Sequence, residues 1–253
     1  MVTDRLALLS DTAEAVAAAL RTVVDRGPSG RRTGQYALDV VADDAALAVL
    51  RSAGVGIISE ESGIEIGRNP GVVIIDPVDG STNASRGIPW YATSLCLVDA
   101  DGPAAALVVN QASGVRFWAE RGGGAWCDGV RLATSGCTEM RDAIVGLNGI
   151  PPAHLGAAQT RVLGAVALDL CAVAAGVLDA YVDCVAEAHG VWDHAGGVLI
   201  CREAGAAVID AWDRDLYPLV HEARRTPLAA ATEALLAPLV VARRAMATGE
   251  RRQ

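Results

Sequence analysis

The sequence contains no lysine; all 21 of its basic residues are arginine. That excludes a lysine Schiff base and a Walker-type phosphate loop, each of which depends on an ammonium group. The six cysteines, at positions 96, 127, 137, 171, 184 and 201, include no C-x-x-C pair, so neither a zinc knuckle nor a thioredoxin-type dithiol is indicated. They read as reduced, buried thiols acting as small hydrophobes. Positive charge is scarce as well: a formal charge of −9 and a pI near 4.9 are the opposite of what a nucleic-acid polymer or an anionic membrane rewards. Any anionic substrate must be drawn in locally, by metal ions, helix ends or a few arginines. No apolar run is long and uncharged enough to span a bilayer, and Asp4 and Arg5 interrupt what would be the apolar core of a signal peptide. The expectation is a cytoplasmic protein.

What remains is ample for a core. With 253 residues, 52% of them hydrophobic, the chain can fold as one domain or as two closely packed lobes. Leu6, Leu9, Ala13, Val16, Leu20 and Val23 recur at spacings of three and four before Gly27-Pro28, which predicts an opening amphipathic helix and its stop. Gly30 to Tyr36 reads as loop, Asp39 to Leu50 as helix and Val55 to Ile58 as a short strand running into Ser59-Glu60-Glu61-Ser62. Ala92 to Val98, Ala104 to Asn110 and Val115 to Ala119 are separated by Asp101-Gly102 and Ser113-Gly114, the punctuation of an antiparallel meander, with the glycine turn Gly122 to Gly124 at its edge. The second half alternates: strand at Ala143 to Leu147, helix from Gly164 to Ala175, strand at Asp179 to Asp183, helix from Trp192 to Glu203, strand at Ala207 to Ala211 and a closing helix after Ala229. The expected division is an N-terminal α+β lobe over 1–140 and a C-terminal α/β lobe over 141–253.

Chemistry concentrates in GVVIIDPVDGSTNASRG, Gly71 to Gly87, where an apolar strand ends in two carboxylates, a proline, a glycine and two hydroxyls. Asp76 and Asp79 flank Pro77, and such a turn can aim both carboxylates and the Val78 carbonyl at one spot. Hard oxygen donors without histidine or thiolate favour Mg²⁺ or Mn²⁺ over zinc or copper, and Glu60, at its own strand end, offers a fourth. Gly80 lets backbone N–H groups approach an anion, so Gly80 and Ser81 suit a phosphate. Together these features fit phosphoryl transfer to water; read alone, D-P-V-D-G-S-T is also a polar turn with an N-cap.

Three motifs in order decide between the readings. IIDPVDGSTN resembles the D-P-[IVL]-D-G-[ST]-x-N motif of the inositol monophosphatase family, the preceding SEES resembles its G-E-E box, and VWDHAGGVLICREAGAAV resembles its W-D-x-A-[AG]-G segment with the trailing E-A-G. NQASGVRFWAERGGGAW and RVLGAVALDLCAVAAGVLDAYV are similar to weaker family segments, while the first forty residues match poorly. The resemblance implies an α/β (α+β layered) fold, an αβαβα sandwich with an antiparallel sheet in the first half and a smaller mixed sheet in the second, commonly a homodimer. It implies that Glu60, Asp76 and the Val78 carbonyl bind one Mg²⁺, that Asp76, Asp79 and Asp193 bind a second, and that two or three ions act in all, with Mn²⁺ as a substitute and Li⁺ as an inhibitor. Gly80 and Ser81 would hold the phosphate through backbone N–H groups, the Ser81 hydroxyl would orient the water, and Ala165 would place its backbone near the substrate.

Two segments depart from the family. Its D-x-V-T-x-x-D box, whose first Asp assists the water-orienting hydroxyl, is represented by GRRTGQYALDVVADD, where Thr33 stands at the first Asp position if Asp39 is the second. Either Glu60 and the metal activate the water alone, or another carboxylate such as Asp43 has moved in; slower turnover is expected. The glutamate that contacts the leaving alcohol lies before W-D, and here YVDCVAEAHGVWD is longer, leaving Asp183, in the better register, and Glu187 as competing candidates. His189 is open between a substrate contact, a partner of Asp193 and a structural histidine. The expected function is a Mg²⁺-dependent phosphomonoesterase for a small polyol, sugar or amino-alcohol phosphate. Histidinol-phosphate, sugar-bisphosphate or 3′-phosphonucleotide hydrolysis, and a non-catalytic metal- and phosphate-binding homologue, are the alternatives. A dinucleotide site at RGGGAW is disfavoured, because its glycines lack the G-x-G-x-x-G spacing.

Overall fold

The computed structural model describes residues 4–250. Asp4 opens the first helix by accepting the Ala7 amide at 2.9 Å, and α1 runs over Arg5–Leu20 with Leu8, Leu9, Ala13 and Val16 buried. Helix α2, Ala37–Ala53, ends at Gly54 in the left-handed region. Strands β1 (Gly56–Ser59), β2 (Gly63–Glu65) and β3 (Val72–Asp79) lead into the short helix α3 (Ser81–Arg86). They are followed by β4 (Ala92–Asp99), β5 (Gly102–Asn110), β6 (Arg116–Glu120), β7 (Gly124–Cys127) and β8 (Val130–Arg131). All eight strands form one sheet in the order β2-β1-β3-β4-β5-β6-β7-β8, antiparallel except for the parallel β1/β3 pair.

The second half supplies β9 (Ile144–Asn148), β10 (Gln159–Arg161), α4 (Val166–Ala174), β11 (Ala180–Asp183), α5 (Val191–Glu203), β12 (Ala207–Asp210), β13 (Pro227–Ala230) and α6 (Glu233–Glu250). Its five strands form a mixed sheet, β10-β9-β11-β13-β12, parallel through β10, β9 and β11 and antiparallel beyond. The layered α/β sandwich is therefore as expected, with three local corrections. Gly122 to Gly124 joins β6 to a further strand rather than closing the meander. The closing helix starts at Glu233, because Pro227–Ala230 is taken up between β11 and β12. The meander sheet also includes the parallel β1/β3 pair.

Alternation along the strands assigns the layers. Val73, Ile75, Leu95, Leu97, Leu107 and Val109 pack with α1 and α2 on one face of the large sheet. Ile74, Cys96, Ala106 and Val108 face the other way, toward α5. Helices α4 and α5 lie between the sheets, with Leu170, Val198 and Ile200 in a core that also takes Tyr181, Val208 and Ala229 of the small sheet. Helix α6 covers the outer face of that sheet through Leu235, Leu236 and Leu239.

The close crossing of α4 and α5 depends on Gly197, where a Cβ would sit 2.7 Å from Leu170 Cβ. Because that atom lies next to the backbone, it cannot swing aside. Gly197→Ala is expected to destabilise the fold by about 1–3 kcal/mol. A thermal melt of purified protein checks this; an unchanged midpoint would mean that the two helices can separate freely.

Candidate metal centre and phosphate-binding turn

Asp76 and Asp79 are three residues apart on one strand, a spacing that in regular β structure puts side chains on opposite faces. The β3/β4 register removes the difficulty: Asp76 pairs with Ser94 and Asp79 with Ala92, so Pro77 and Val78 together oppose only Thr93. This is a β-bulge at a proline, which has no N–H to lose from the ladder. The Thr93 hydroxyl donates to the Pro77 carbonyl at 2.9 Å, and Asp76 Oδ1 accepts the Val78 amide at 2.9 Å. Both carboxylates are thereby directed to one place and both are buried.

The chain then turns through Gly80, φ 87°, into α3. A Cβ there would lie 3.1 Å from Ala165 Cβ, the Gly164 carbonyl and the Trp90 carbonyl, so glycine is required by both conformation and space. Asn83 Nδ2 donates to the Trp90 carbonyl at 2.7 Å and to the Leu163 carbonyl at 2.8 Å, clamping α3 against the approach to α4. Asp79 Oδ2 accepts the Ala167 amide, in the first turn of α4, at 2.6 Å. Asp193 arrives in the first turn of α5.

Oxygens of Asp76, Asp79 and Asp193 lie within 4.8 Å of one another. Glu60, beyond the end of β1, reaches Asp76 closely enough to share a hydrogen bond. Burial and then the neighbouring carboxylates drive Asp76 and Asp79 well above the usual carboxylate range. Glu60 is raised to about 8, by burial first and then by Asp193 and Glu61. An all-oxygen, mutually repelling set, with Asp76 and Asp79 buried and Glu60 and Asp193 half-buried, is the donor chemistry of a hard divalent cation, and these residues fit one. Glu61 is held away from it by Arg32 at 2.7 Å and by Gln35 Nε2.

Glu60, Asp76, Asp79 and Asp193 are thus brought together, with the Val78 carbonyl, Gly80, Ser81 and Ala165 in the adjoining turn. Asp183 is fully buried, its Oδ1 accepting Asn148 Nδ2 at 2.9 Å and the Val185 amide at 3.0 Å. Glu187 is exposed and directed to Arg214 at 2.6 Å. Asp43 is engaged by the Ser59 hydroxyl at 2.6 Å, which steadies the strand end before Glu60. The carboxylate beside Ser81 is instead Asp39, raised to about 6 chiefly by burial. Its Oδ2 accepts the Tyr36 amide at 2.8 Å, while Oδ1 is buried without a hydrogen-bond partner. The Ser81 hydroxyl donates to the Val78 carbonyl at 2.9 Å. Asp169, which carries no signal in the motifs, accepts Trp90 Nε1 at 2.8 Å and is raised to about 7 by burial.

Comparison with known proteins finds relatives over most of the chain. The model of the inositol monophosphatase family matches residues 7–245. A fructose-1,6-bisphosphatase/inositol-1-monophosphatase of Archaeoglobus fulgidus is 35% identical over 193 residues, covering 74% of this chain and 75% of the relative. An inositol-1-monophosphatase of Mesorhizobium japonicum is 35% identical, covering 68% and 70%. The solved structure of a Pyrococcus horikoshii protein with similarities to inositol-1 monophosphatase superposes with a TM-score of 0.81 at 26% identity, covering 94% of this chain and 95% of that one.

The raised Glu60 pKa has a readable consequence. The folded state holds this proton more tightly than the unfolded chain, so the contribution to stability is complete below pH 4.5 and lost as pH rises through about 8. The chelator-treated protein is expected to melt at a lower temperature at pH 8 than at pH 6, with Mg²⁺ raising the midpoint more at pH 8. An equal Mg²⁺ effect at both values would show that the carboxylates do not repel one another as argued.

Proposed function

We propose, for a chain that belongs to the inositol monophosphatase family and is a phosphoric monoester hydrolase, a Mg²⁺-dependent reaction on a small polyol or sugar phosphate. The observation that carries it is the convergence of three carboxylates from β3 and α5 beside the Gly80-Ser81 turn. Inositol 1-phosphate and fructose 1,6-bisphosphate are the first candidate substrates, since relatives bear both names. A homodimer acting in the cytoplasm on a free ester, rather than on a nucleic-acid polymer or a membrane lipid, completes the reading. The formal charge of −9 speaks against a polyanionic partner, and among the described residues no helix is long and apolar enough to cross a membrane.

In this reading Glu60, Asp76 and the Val78 carbonyl hold one divalent ion, and Asp76, Asp79 and Asp193 hold a second. When bound, the ions neutralise the phosphoryl oxygens and lower the pKa of the attacking water. The backbone amides of Gly80 and Ser81 hold the phosphate and orient its phosphorus toward that water. With an ion on the Val78 carbonyl, the Ser81 hydroxyl would turn its proton from that carbonyl to Asp39 Oδ1 and accept from the water, so that Asp39 takes the role of the carboxylate missing at Thr33. Ala165, packed against the Gly80 turn, fixes the near wall of the substrate space.

The test is phosphate release from inositol 1-phosphate, fructose 1,6-bisphosphate, histidinol phosphate and 3′-phosphoadenosine 5′-phosphate, with and without Mg²⁺. Mg²⁺-dependent release from one of the first two, inhibited by Li⁺ and abolished in Asp79→Asn, is expected; release that survives either metal removal or that substitution overturns the assignment. Asp39→Asn keeps an acceptor for the Tyr36 amide, so helix α2 stays capped. It is expected to lower kcat by roughly 10²-fold with little change in KM. A normal kcat would leave Asp39 as a helix cap alone.

A further inference from the structure

Asp193 is backed by a line of buried polar groups that the catalytic reading does not use. Its Oδ2 lies 3.5 Å from His189 Nδ1. The other ring nitrogen, Nε2, is met by Asn148 Nδ2 at 3.1 Å, the Tyr181 hydroxyl at 3.3 Å and Asp183 Oδ2 at 3.5 Å. Both nitrogens are committed, so the ring cannot turn without losing contacts on one side. Asp183 is itself fixed at Oδ1 by Asn148 and the Val185 amide. Its carbonyl accepts Arg243 Nε at 2.6 Å.

Arg243 comes from α6, on the far side of the small sheet. It is wholly buried, its two terminal nitrogens have no hydrogen-bond partner, and its guanidinium carbon lies 5.0 Å from the centre of the Trp212 ring. A buried, incompletely paired guanidinium is a costly way to fill space, and an apolar side chain of like volume would serve packing as well or better. Asp183 lies across this contact; burial raises its carboxyl, while the His189 charge and, last among its neighbours, the Arg243 charge act to lower it. The segment between Asp183 and His189, which lengthens the loop before α5, exposes Val185 to Ala188 and then returns His189 to the interior. A bridge to Arg225 holds it there, with the Arg225 amide donating to the His189 carbonyl at 2.8 Å.

We infer that Arg243, Asp183 and His189 are positioning residues in series that fix the Asp193 carboxylate, so that the C-terminal helix sets the affinity of the metal centre. The inference rests on Asp193 being a metal ligand. Groups that orient a ligand from behind are worth typically 10–100-fold in metal affinity, because they remove the rotamers in which the ligand faces away. His189 does this directly, and Arg243 does it by holding the end of β11 in register with α6.

Mn²⁺ titrated calorimetrically into the full-length, metal-free protein, without substrate, reads the effect, with chelator-treated melts reading fold stability. His189→Leu is expected to weaken Mn²⁺ binding 10–100-fold and Arg243→Met roughly 3–10-fold. The double variant is expected to bind no more weakly than His189→Leu alone, since both lie on one route. Arg243→Lys, which keeps a donor for the Asp183 carbonyl, is expected to recover most of the affinity lost in Arg243→Met. A shifted melt with unchanged Mn²⁺ affinity in Arg243→Met, or losses that simply multiply in the double variant, overturns the series. If Asp193→Asn also leaves Mn²⁺ binding intact, the ligand assignment has failed and the inference falls with it.

Discussion

Like charges held together out of water repel, and the fold is organised around keeping four of them in place. Glu60, Asp76, Asp79 and Asp193 come from three separate stretches of chain, and burial together with the neighbouring carboxylates pushes Glu60, Asp76 and Asp79 toward the protonated form. No single element could impose this. The bulge at Pro77 directs two of the four, the amide of Ala167 pulls on Asp79, and His189 faces Asp193 from behind. A cation would relieve the repulsion that protons otherwise relieve, which is why the site reads as a metal centre from its electrostatics as well as its donors.

Hydrogen bonds around the cluster serve mostly to stop it from relaxing. Asn83 and Gly80 lock α3 against the loop before α4, Asp43 and Ser59 brace the strand end before Glu60, and Arg32 with Gln35 draws Glu61 aside. Each fixes backbone or a side chain next to the cluster rather than a cluster carboxylate itself. Rigidity at this place is therefore a condition for strong ion binding.

Much of this was legible in the sequence because the governing residues are adjacent in it. D-P-V-D-G-S-T compresses the bulge, two of the proposed ligands and the proposed phosphate turn into one segment, and the helical periodicities of α1, α2, α4 and α5 fall within a residue or two of their observed spans, save the ends of α1 and α2. The misses have physical causes. Strands β2, β8 and β10 are too short for a period to register, and Pro227–Ala230, poor in β-branched residues, is a strand only because β11 and β12 flank it. Spacing located Asp183 at the end of β11 but could not show that Asn148 turns its carboxylate inward. Nor could it show that one oxygen of Asp39 caps a helix while the other is left free beside Ser81.

Asp79 ends a strand of the first sheet, whereas Asp193 begins a helix near the end of the chain. In the proposed reading, an ion gripped by both would cross-link distant parts of the polypeptide, closing a long loop much as a disulfide does, but with a bond that forms and breaks at the rate of ion exchange. In a chain whose six cysteines are all free, such a reversible staple would take the place of a disulfide, and the lifetime of the folded state would be tied to the supply of the same ion that serves the proposed chemistry.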